Sequence, residues 1–246
     1  MRYLILSDMH ANRHALEAVL ADASAVGYDA VLVLGDLVGY GADPAAVMDL
    51  TFDLNPVAMI RGNHDKVAAG LEPASFFNDV ARKAIEWTAG ILPAAMLRAL
   101  VDLPKGPLVV SPSVEICHGA PFDEDYYVFD ADDAQRAMAA ATSTSCLYGH
   151  THVPALFAAA MDHPFPPRAD LEIDEFQLPA GGRVLLNVGS VGQPRDGDPR
   201  AAYGVLDLER LVIRLRRVAY DVAGAQAQIL AAGLPSALAA RLERGQ

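Results

Sequence analysis

Polar side chains that can bind metals recur just past the ends of short apolar runs in this sequence. Each apolar run is typical of a strand, so we expect the side chains after the runs to converge at one edge of a sheet. Carboxylate, amide and imidazole groups without cysteine form a ligand set for hard or borderline divalent metals. Seven candidates exceed what one tetrahedral ion needs, so the pattern indicates two metals. The candidates are Asp8, His10, Asp36, Asn63, His118, His150 and His152.

Each motif in this set is weak alone and has an ordinary structural explanation. Asp8 and His10 share one side of an extended chain, yet an Asp and a His at a turn are often caps or surface groups. Asp36 follows a glycine, a pair that also ends strands in simple turns. His150 and His152 are more specific, because their spacing suits one imidazole on each of two metals. Five motifs in order, each after an apolar run, predict a shared metal site.

The run Gly62-Asn63-His64-Asp65 adds proton chemistry to the predicted site. His64 can transfer protons near neutral pH, and Asp65 or another carboxylate could orient its imidazole. The structural alternative is a helix cap on residues 65–69. The sequence leaves both interpretations open at this point.

The spacing of the candidate ligands indicates the elements that position them. Asp8 and Asp36 are 28 residues apart, and Asp36 and Asn63 are 27 apart, which is the length of a βαβ unit. Parallel strands present their carboxyl ends at one sheet edge, where ligands bind. The three strands predicted to carry these residues are Tyr3 to Leu6, Ala30 to Leu34 and Val57 to Ile60.

The remaining pattern predicts an α/β chain forming one domain over residues 1–246. Predicted helices follow Asn12 and Asp43 as caps, and others cover 76–102 (broken at Gly90 and Pro93), 132–141, 221–232 and 235–244. Predicted strands cover 108–110, 114–117, 145–148, 155–159, 183–188, 201–207 and 211–218. Residues 160–182 are rich in Pro and Asp and predict an exposed excursion.

Composition restricts the partners. The net charge of −12 gives an acidic surface that repels phosphate backbones, which argues against nucleic acid as a partner. Bound cations can reverse that field locally, so a small phosphorylated substrate remains compatible with the composition. Two cysteines imply no disulfide framework, and no stretch has the apolarity of a transmembrane helix. We therefore expect a cytoplasmic protein without a membrane partner, and Cys117 in the core rather than on a metal.

The ordered motifs resemble those of the calcineurin-like metallophosphoesterase superfamily, of the small bacterial type, over residues 1 to about 207. The resemblance implies a four-layer αββα sandwich of two mixed sheets, and two divalent metal ions. Manganese is favoured, with iron, zinc, cobalt and nickel as alternatives. It implies one metal on Asp8, His10, Asp36 and His152, and the other on Asp36, Asn63, His118 and His150, with Asp36 bridging.

By this resemblance the protein would hydrolyse phosphate esters with a metal-bound hydroxide, and His64 would protonate the leaving oxygen. Arg61 and Arg195 could contact phosphate oxygens, or else form surface salt bridges. The protein phosphatases of the superfamily carry Asp and Arg soon after the bridging Asp. Here Asp36 is followed by Leu37-Val38-Gly39-Tyr40-Gly41, which argues against a phosphoprotein substrate.

Three functions are compatible with the sequence. The first is hydrolysis of a small phosphomonoester or phosphodiester, nucleotides included. The second is diadenosine-polyphosphate hydrolysis, and the third is metal-dependent binding or scaffolding without catalysis. The third ranks last because every ligand and the acid are present. Segments 66–107, 120–144 and 160–182 would select the substrate, and the oligomeric state, a homo-oligomer included, is left open.

Overall fold

The computed structural model describes residues 1–158 and 173–246 of the chain. Its strands are β1 (Arg2–Leu6), β2 (Ala30–Val33), β3 (Ala58–Met59), β4 (Leu108–Ser111), β5 (Val114–Ile116), β6 (Ser145–Tyr148), β7 (Ala155–Ala158), β8 (Ile173–Gln177), β9 (Val184–Asn187), β10 (Ala201–Asp207) and β11 (Val212–Val218). Its helices are α1 (Arg13–Val26), α2 (Pro44–Asp53), α3 (Asn63–Ala68), α4 (Asp79–Ile91), α5 (Ala94–Asp102), α6 (Ala131–Ala140), α7 (Val222–Ala231) and α8 (Ser236–Leu242). A single 3-10 turn, Ala74–Phe76, precedes α4.

The described strands form two mixed sheets. One has the order β3-β2-β1-β10-β11-β8, in which β1, β2 and β3 are parallel and the other neighbours antiparallel. The other has the order β4-β5-β6-β9-β7, in which β5, β6 and β9 are parallel. The parallel strands of both sheets therefore supply carboxyl ends at which loops can build a site.

Alternating side chains along the strands assemble the layers. In β1, Leu4 and Leu6 pack with α1 on the outer face, whereas Ile5 points into the core between the sheets. In β6, Leu147 joins that central core, and Tyr148 packs outward with α6. The result is the four-layer αββα arrangement of two mixed sheets flanked by helices, which confirms the predicted fold class. The single-domain interpretation of residues 1–246 stays a prediction.

Several helix boundaries follow from local chemistry. Asn12 caps α1 by accepting a hydrogen bond from the Ala15 amide at 3.1 Å, as predicted. Asp43 is the N-cap residue of α2, but its side chain makes no capping hydrogen bond. Pro93 separates α4 from α5, which meet at a bend of 118°. Gly90 lies inside α4, so only one of the two predicted breaks occurs.

The main correction to the predicted elements concerns the exposed excursion. Residues 173–177 form β8, which pairs antiparallel with β11 at the edge of the six-stranded sheet. The sequence predicts no strand here because the acidic residues and neighbouring prolines hide the strand pattern. Residues 160–172 of that prediction, and position 159 of the predicted strand 155–159, lie outside the described residues.

No single helix in the described ranges is long and apolar enough to cross a membrane. The bent pair of α4 and α5 would pass that test only when both helices are counted together, by length and composition alone. Both cysteines are buried thiols: Cys117 packs with Cys146 in the cluster beneath α6, as predicted for a core residue.

Candidate metal centre

The seven predicted ligands meet where carboxyl ends of both sheets face each other. Asp8 and His10 follow β1, Asp36 follows β2, and Asn63 is the first residue of α3 after β3. From the other sheet, His118 follows β5, and the pair His150 and His152 follows β6. The two sheets thus bring side chains that are far apart in sequence together at one buried place.

One group of four candidate ligands surrounds a common point. Ligand atoms of Asp8, His10, Asp36 and His152 all lie within 4.8 Å of one another, and all four residues are buried. His10 Nε2 is 3.5 Å from Asp36 Oδ2, and His152 Nε2 is 3.4 Å from Asp8 Oδ1. Two carboxylates and two imidazoles at such distances can enclose one divalent ion.

A second group shares Asp36 with the first. Ligand atoms of Asp36, His118 and His150 also lie within 4.8 Å of one another. His118 Nε2 is 3.4 Å from Asp36 Oδ2 and 3.2 Å from Asn63 Oδ1, so the amide oxygen completes this group. Asp36 lies between the two groups, the position that a bridging carboxylate occupies.

Backbone carbonyls fix which nitrogen each histidine presents. The Nδ1 atoms of His10, His118 and His152 face the carbonyl oxygens of Val38, Leu34 and Gln193 at 3.0, 2.8 and 2.6 Å. A carbonyl can only accept, so these Nδ1 atoms carry the proton and donate it. The Nε2 atoms of all three rings therefore point into the centre.

His150 is turned the other way. Its Nε2 faces the Asp125 carbonyl oxygen at 3.0 Å, which leaves Nδ1 as the nitrogen for a metal. Asp125 thus contacts His150 through its backbone carbonyl, and its side chain contacts Lys66.

The arrangement of lone pairs tests whether a cation fits. His10 Nε2 and His152 Nε2 lie only 3.0 Å apart, and each ring already donates from Nδ1. Two neutral imidazoles of this tautomer would oppose their lone pairs, which is repulsive unless a proton or a cation lies beside them. With two carboxylates adjacent, the donor set fits a divalent ion.

Backbone strain is concentrated at the same residues. Nine non-glycine residues of the described chain have positive φ, and five of them are predicted ligands. These five are Asp8 at 53°, His10 at 47°, Asp36 at 55°, His150 at 67° and His152 at 61°. Non-glycine residues rarely adopt positive φ. Such backbone strain is found at functional sites, where the surrounding structure holds the residue in place.

Two glycines allow the backbone to approach the carboxylates. A Cβ added at Gly62 would lie 2.1 Å from Asp36 Oδ1, and one at Gly149 would lie 2.1 Å from Ser7 Oγ and 2.8 Å from Asp8 Oδ2. Neither position can carry a side chain without moving the group it contacts. The glycine before Asn63 and the one before His150 thus belong to the construction of the site.

Burial determines most of the protonation behaviour. It lowers the pKa of His10 and His152 well below the usual range and that of His150 to about 3, which keeps these imidazoles neutral and able to ligate. Burial raises the pKa of Asp8 to about 6. His118 behaves differently: burial lowers its pKa, but the Asp36 and Asp8 carboxylates and the Leu34 carbonyl together outweigh burial and raise it to about 10.

His64 lies beside the centre but outside both ligand groups. Its backbone amide donates to Asp36 Oδ1 at 2.8 Å, while its ring lies between Tyr40 and Phe77, with centroid distances of 4.4 and 4.6 Å. Its buried Nδ1 has no hydrogen-bond partner in the described part of the chain. Burial lowers the pKa of His64 to about 4.

Asp65 does not orient His64, so that hypothesis is wrong. Its Oδ1 accepts from the Leu37 and Val38 amides at 2.9 and 3.2 Å, and its Oδ2 accepts from the Gly62 amide at 3.0 Å. Helical geometry points residues 64 and 65 in different directions, which separates the two side chains. Asp65 instead caps α3 and fixes the loop after Asp36, a combination of the predicted cap and a positioning role.

The two arginines have different environments. Arg61 donates from Nε and Nη2 to the two carboxylate oxygens of Glu124, each at 3.2 Å, so it forms the salt bridge that was its structural alternative, here in a part-buried place. Its contact with phosphate stays a prediction. Arg195 donates from Nη2 to Tyr40 Oη and Gln193 Oε1, both at 3.2 Å, and no carboxylate in the described ranges pairs with it. Its positive charge faces the centre, where it helps to lower the pKa of His150 and His152.

Sequence reasoning missed the groups that support the centre. The backbone carbonyl of Gln193, which accepts from His152, has no sequence signal. The same is true of the Asp125 carbonyl and of the ring of Tyr127, which lies 3.8 Å from that of His150. An aromatic pair in a loop that follows a candidate ligand was the one available hint.

Comparison with known proteins relates this chain to phosphoesterases. Residues 1–211 match the calcineurin-like phosphoesterase superfamily domain. An uncharacterised protein of Methanocaldococcus jannaschii is 32% identical over 256 positions, which cover 98% of this chain and 97% of the relative.

Solved structures share the fold over the whole chain. A metallophosphoesterase from Sphaerobacter thermophilus is 37% identical, with a TM-score of 0.88 that covers 100% of this chain and 99% of the other. A hypothetical protein from Pyrococcus horikoshii is 20% identical, with a TM-score of 0.81 and coverage of 100% and 98%; this likeness shows the fold alone.

Proposed function

The chain belongs to the calcineurin-like phosphoesterase superfamily, and we propose that it hydrolyses esters of small phosphorylated molecules at a centre of two divalent cations. Manganese is the first candidate for both positions, and the Asn, Asp and His donors also suit iron, zinc, cobalt or nickel. The proposed substrates are phosphomonoesters or phosphodiesters.

The opposed Nε2 atoms of His10 and His152 are the observation that carries the proposal. They are held in that tautomer by backbone carbonyls, and two buried carboxylates lie beside them. A purely structural role would not require lone pairs to face each other at 3.0 Å in a buried place. A cation held by these groups would remove the repulsion.

Bound cations would supply positive charge opposite the phosphoryl oxygens and activate water for hydrolysis. Asp8, His10, Asp36 and His152 would hold one, and Asp36, Asn63, His118 and His150 the other. The chain's own residues have two further tasks: to bind the phosphate and to move a proton.

Arg195 is the residue proposed to bind the phosphate. Its guanidinium is held by Tyr40 and Gln193 rather than by a carboxylate, so its charge is available to an anion. Its forked donors suit phosphate oxygens. Arg61 is assigned a positioning role instead, because its Nε and Nη2 donate to Glu124 and its charge is paired with that carboxylate.

His64 is proposed to give a proton to the leaving oxygen from Nε2. Tyr40 and Phe77 hold the ring in place, and the amide contact with Asp36 ties it to the shared carboxylate. A general acid at this position neutralises the negative charge that develops on the oxygen of a poor leaving group. The neutral imidazole of the resting structure must first take up that proton.

The proposal is tested by metal analysis and ester hydrolysis with the same preparations. The wild-type chain should bind two ions and hydrolyse p-nitrophenyl phosphate or bis(p-nitrophenyl) phosphate. Asp36→Asn should lose both ions and at least about a hundredfold of the rate, since it removes the shared charge. Asp49→Asn, on the exposed face of α2, is the matched control and should change neither. A metal-loaded wild-type chain that hydrolyses no phosphate ester would overturn the proposal.

A further inference from the structure

A cleft of about 520 Å³ opens beside the metal centre. Asn63 and His150 line its inner end, so it is continuous with the second ligand group. Its walls are the rings of Phe76, Phe77 and Tyr127. We refer to these three rings and the space between them as the aromatic cleft. Its volume is in the range of sites that enclose a small organic molecule.

Two of the three rings in the walls are exposed. Phe76 is 84% exposed and Tyr127 is 41% exposed, although burial of such rings is strongly favourable. Tyr127 lies 3.8 Å from the ring of His150 and stacks on Phe129 at 5.3 Å with an interplanar angle of 4°. The cleft is therefore lined by aromatic surface, and a flat molecule that covers these rings would gain binding free energy.

The walls connect directly to the residues proposed to act on the ester. Phe77 lies 4.6 Å from the ring of His64, the proposed proton donor. His150, which contacts Tyr127, is a candidate metal ligand. A substituent on the leaving oxygen of a phosphate in the centre would consequently extend into the aromatic cleft.

A charged cluster forms the polar side of the cleft. Lys66 is buried, with 2% of its side chain exposed, and its Nζ contacts Glu72 at 3.1 Å, Glu124 at 3.4 Å and Asp125. Glu72 and Asp125 are 44% and 43% exposed and line the cleft, so each has lone pairs left for a ligand. Carboxylates outnumber the lysine, and this side therefore accepts hydrogen bonds and repels additional anions.

We propose that the aromatic cleft binds the base of a nucleotide that carries a single phosphate; this rests on the proposed phosphoesterase function and names its substrate class. The planar base would stack against the rings of Phe76 and Tyr127. Its amino groups would donate to Glu72 and Asp125. A second phosphate would lie toward those carboxylates, so nucleoside polyphosphates, diadenosine polyphosphates among them, are poor substrates.

The reaction balances as a simple hydrolysis. Water adds its oxygen to phosphorus, and the bond between phosphorus and the ester oxygen breaks. The ester oxygen takes a proton and leaves as the nucleoside hydroxyl, while inorganic phosphate is released. No oxidant or second substrate is needed.

Two substrates that differ only in the base test the cleft. Adenosine 5′-monophosphate and ribose 5-phosphate share the same primary phosphomonoester. We expect kcat/KM to be roughly tenfold or more higher for the nucleotide, because base stacking contributes about that much. Phe76→Leu should remove most of this preference through KM and leave ribose 5-phosphate within about twofold of wild type.

Phe122→Leu is the matched control. Phe122 is an exposed aromatic, 42% accessible, in the same loop as Tyr127 but outside the cleft. This variant should leave both substrates unchanged. Equal kcat/KM values for the two substrates in the wild-type chain would overturn the assignment of the cleft to a base.

A binding measurement separates this proposal from the proposed function. Adenosine has no phosphate to hydrolyse, and we expect calorimetry to detect its binding to wild type and a loss of about tenfold in Tyr127→Leu. If p-nitrophenyl phosphate is hydrolysed but adenosine does not bind, the cleft proposal alone fails. If adenosine binds but the metal-loaded chain hydrolyses no ester, the phosphoesterase proposal alone fails.

Discussion

His10 and His152 present their Nε2 atoms to each other at 3.0 Å across 142 residues of sequence. His10 follows β1 of the six-stranded sheet, and His152 follows β6, the central strand of the five-stranded sheet. The contact therefore joins the two sheets at the edge where the candidate ligands meet. A cation at this point would stabilise the junction between the sheets as well as supply chemistry.

His152→Ala should leave one metal ion per chain instead of two. The substitution removes a donor from the first ligand group only, and the second group keeps Asp36, Asn63, His118 and His150. Elemental analysis after dialysis against metal-free buffer measures the ratio. His14→Ala, which changes a part-exposed histidine on α1 outside the site, should retain two ions. Two ions in His152→Ala would contradict the division into two groups.

His64→Ala should retain both metals and lose rate according to the leaving group. The loss should be about a hundredfold or more for alkyl esters and small for p-nitrophenyl esters, which leave without protonation. A plot of log kcat against leaving-group pKa measures the effect as a steeper slope. An equal loss across the series would mean that His64 acts by packing with Tyr40 and Phe77 rather than as an acid.

Arg195→Gln should affect substrate binding, whereas Arg61→Gln should affect stability. Arg195→Gln should raise KM for phosphate esters by roughly tenfold to a hundredfold, as expected for a lost hydrogen bond to a charged group. Arg61→Gln should leave KM nearly unchanged and lower the free energy of unfolding by about 1–3 kcal/mol, because Glu124 is 9% exposed and loses a bidentate partner. Steady-state kinetics and urea unfolding of both variants provide the comparison; the reverse pattern would exchange their roles.

Gly62→Ala should remove metal from both positions. Its φ of −102° suits any residue, so the effect is steric: the new Cβ would lie 2.1 Å from Asp36 Oδ1. Gly90→Ala in α4 is the control, since nothing lies within 4 Å of its Cβ position, and it should stabilise the helix by about 0.5–1 kcal/mol. Metal content and thermal unfolding of the two alanine variants test this pair. Full metal occupancy in Gly62→Ala would show that Asp36 can move.

The ion pair between Asp22 and Arg216 should make the free energy of unfolding decrease at acid pH. Arg216 donates to its two oxygens at 2.7 and 2.9 Å and lowers the pKa of the carboxyl; burial opposes this, and the Tyr203 hydroxyl adds to it. Since the folded pKa lies below the unfolded value of 3.8, the contribution is present above that pH and is lost as the pH falls through the folded value. Asp22→Asn should therefore be less stable than wild type at pH 7 and should approach it at pH ~3.

Urea unfolding at both pH values measures the Asp22 effect. Asp49→Asn, an exposed carboxylate with the same change in charge, should differ little from wild type at either pH. A difference between Asp22→Asn and wild type that persists unchanged at low pH would assign the effect to packing instead of the ion pair.

Much of the fold could be predicted from the sequence, because segments with the apolar spacing of strands and of helices alternate clearly in the first half of the chain. Asp8, Asp36 and Asn63 follow strands at intervals of one βαβ unit, and the structure places those strands side by side. The pattern failed at β8, whose residues have no apolar alternation of their own. That strand forms by pairing with β11, and pairing partners are not local information.

The sequence alone determined which residues can ligate, because ligand chemistry belongs to the side chain and strand ends are local features. It could not determine what Asp65 and Arg61 contact, since helix α3 turns Asp65 toward backbone amides and the loop after His118 brings Glu124 to Arg61. The tautomers of His10 and His152 and the aromatic cleft were likewise decided by tertiary structure. Each depends on carbonyls and rings from segments distant in sequence, and only packing of the two sheets brings those segments together.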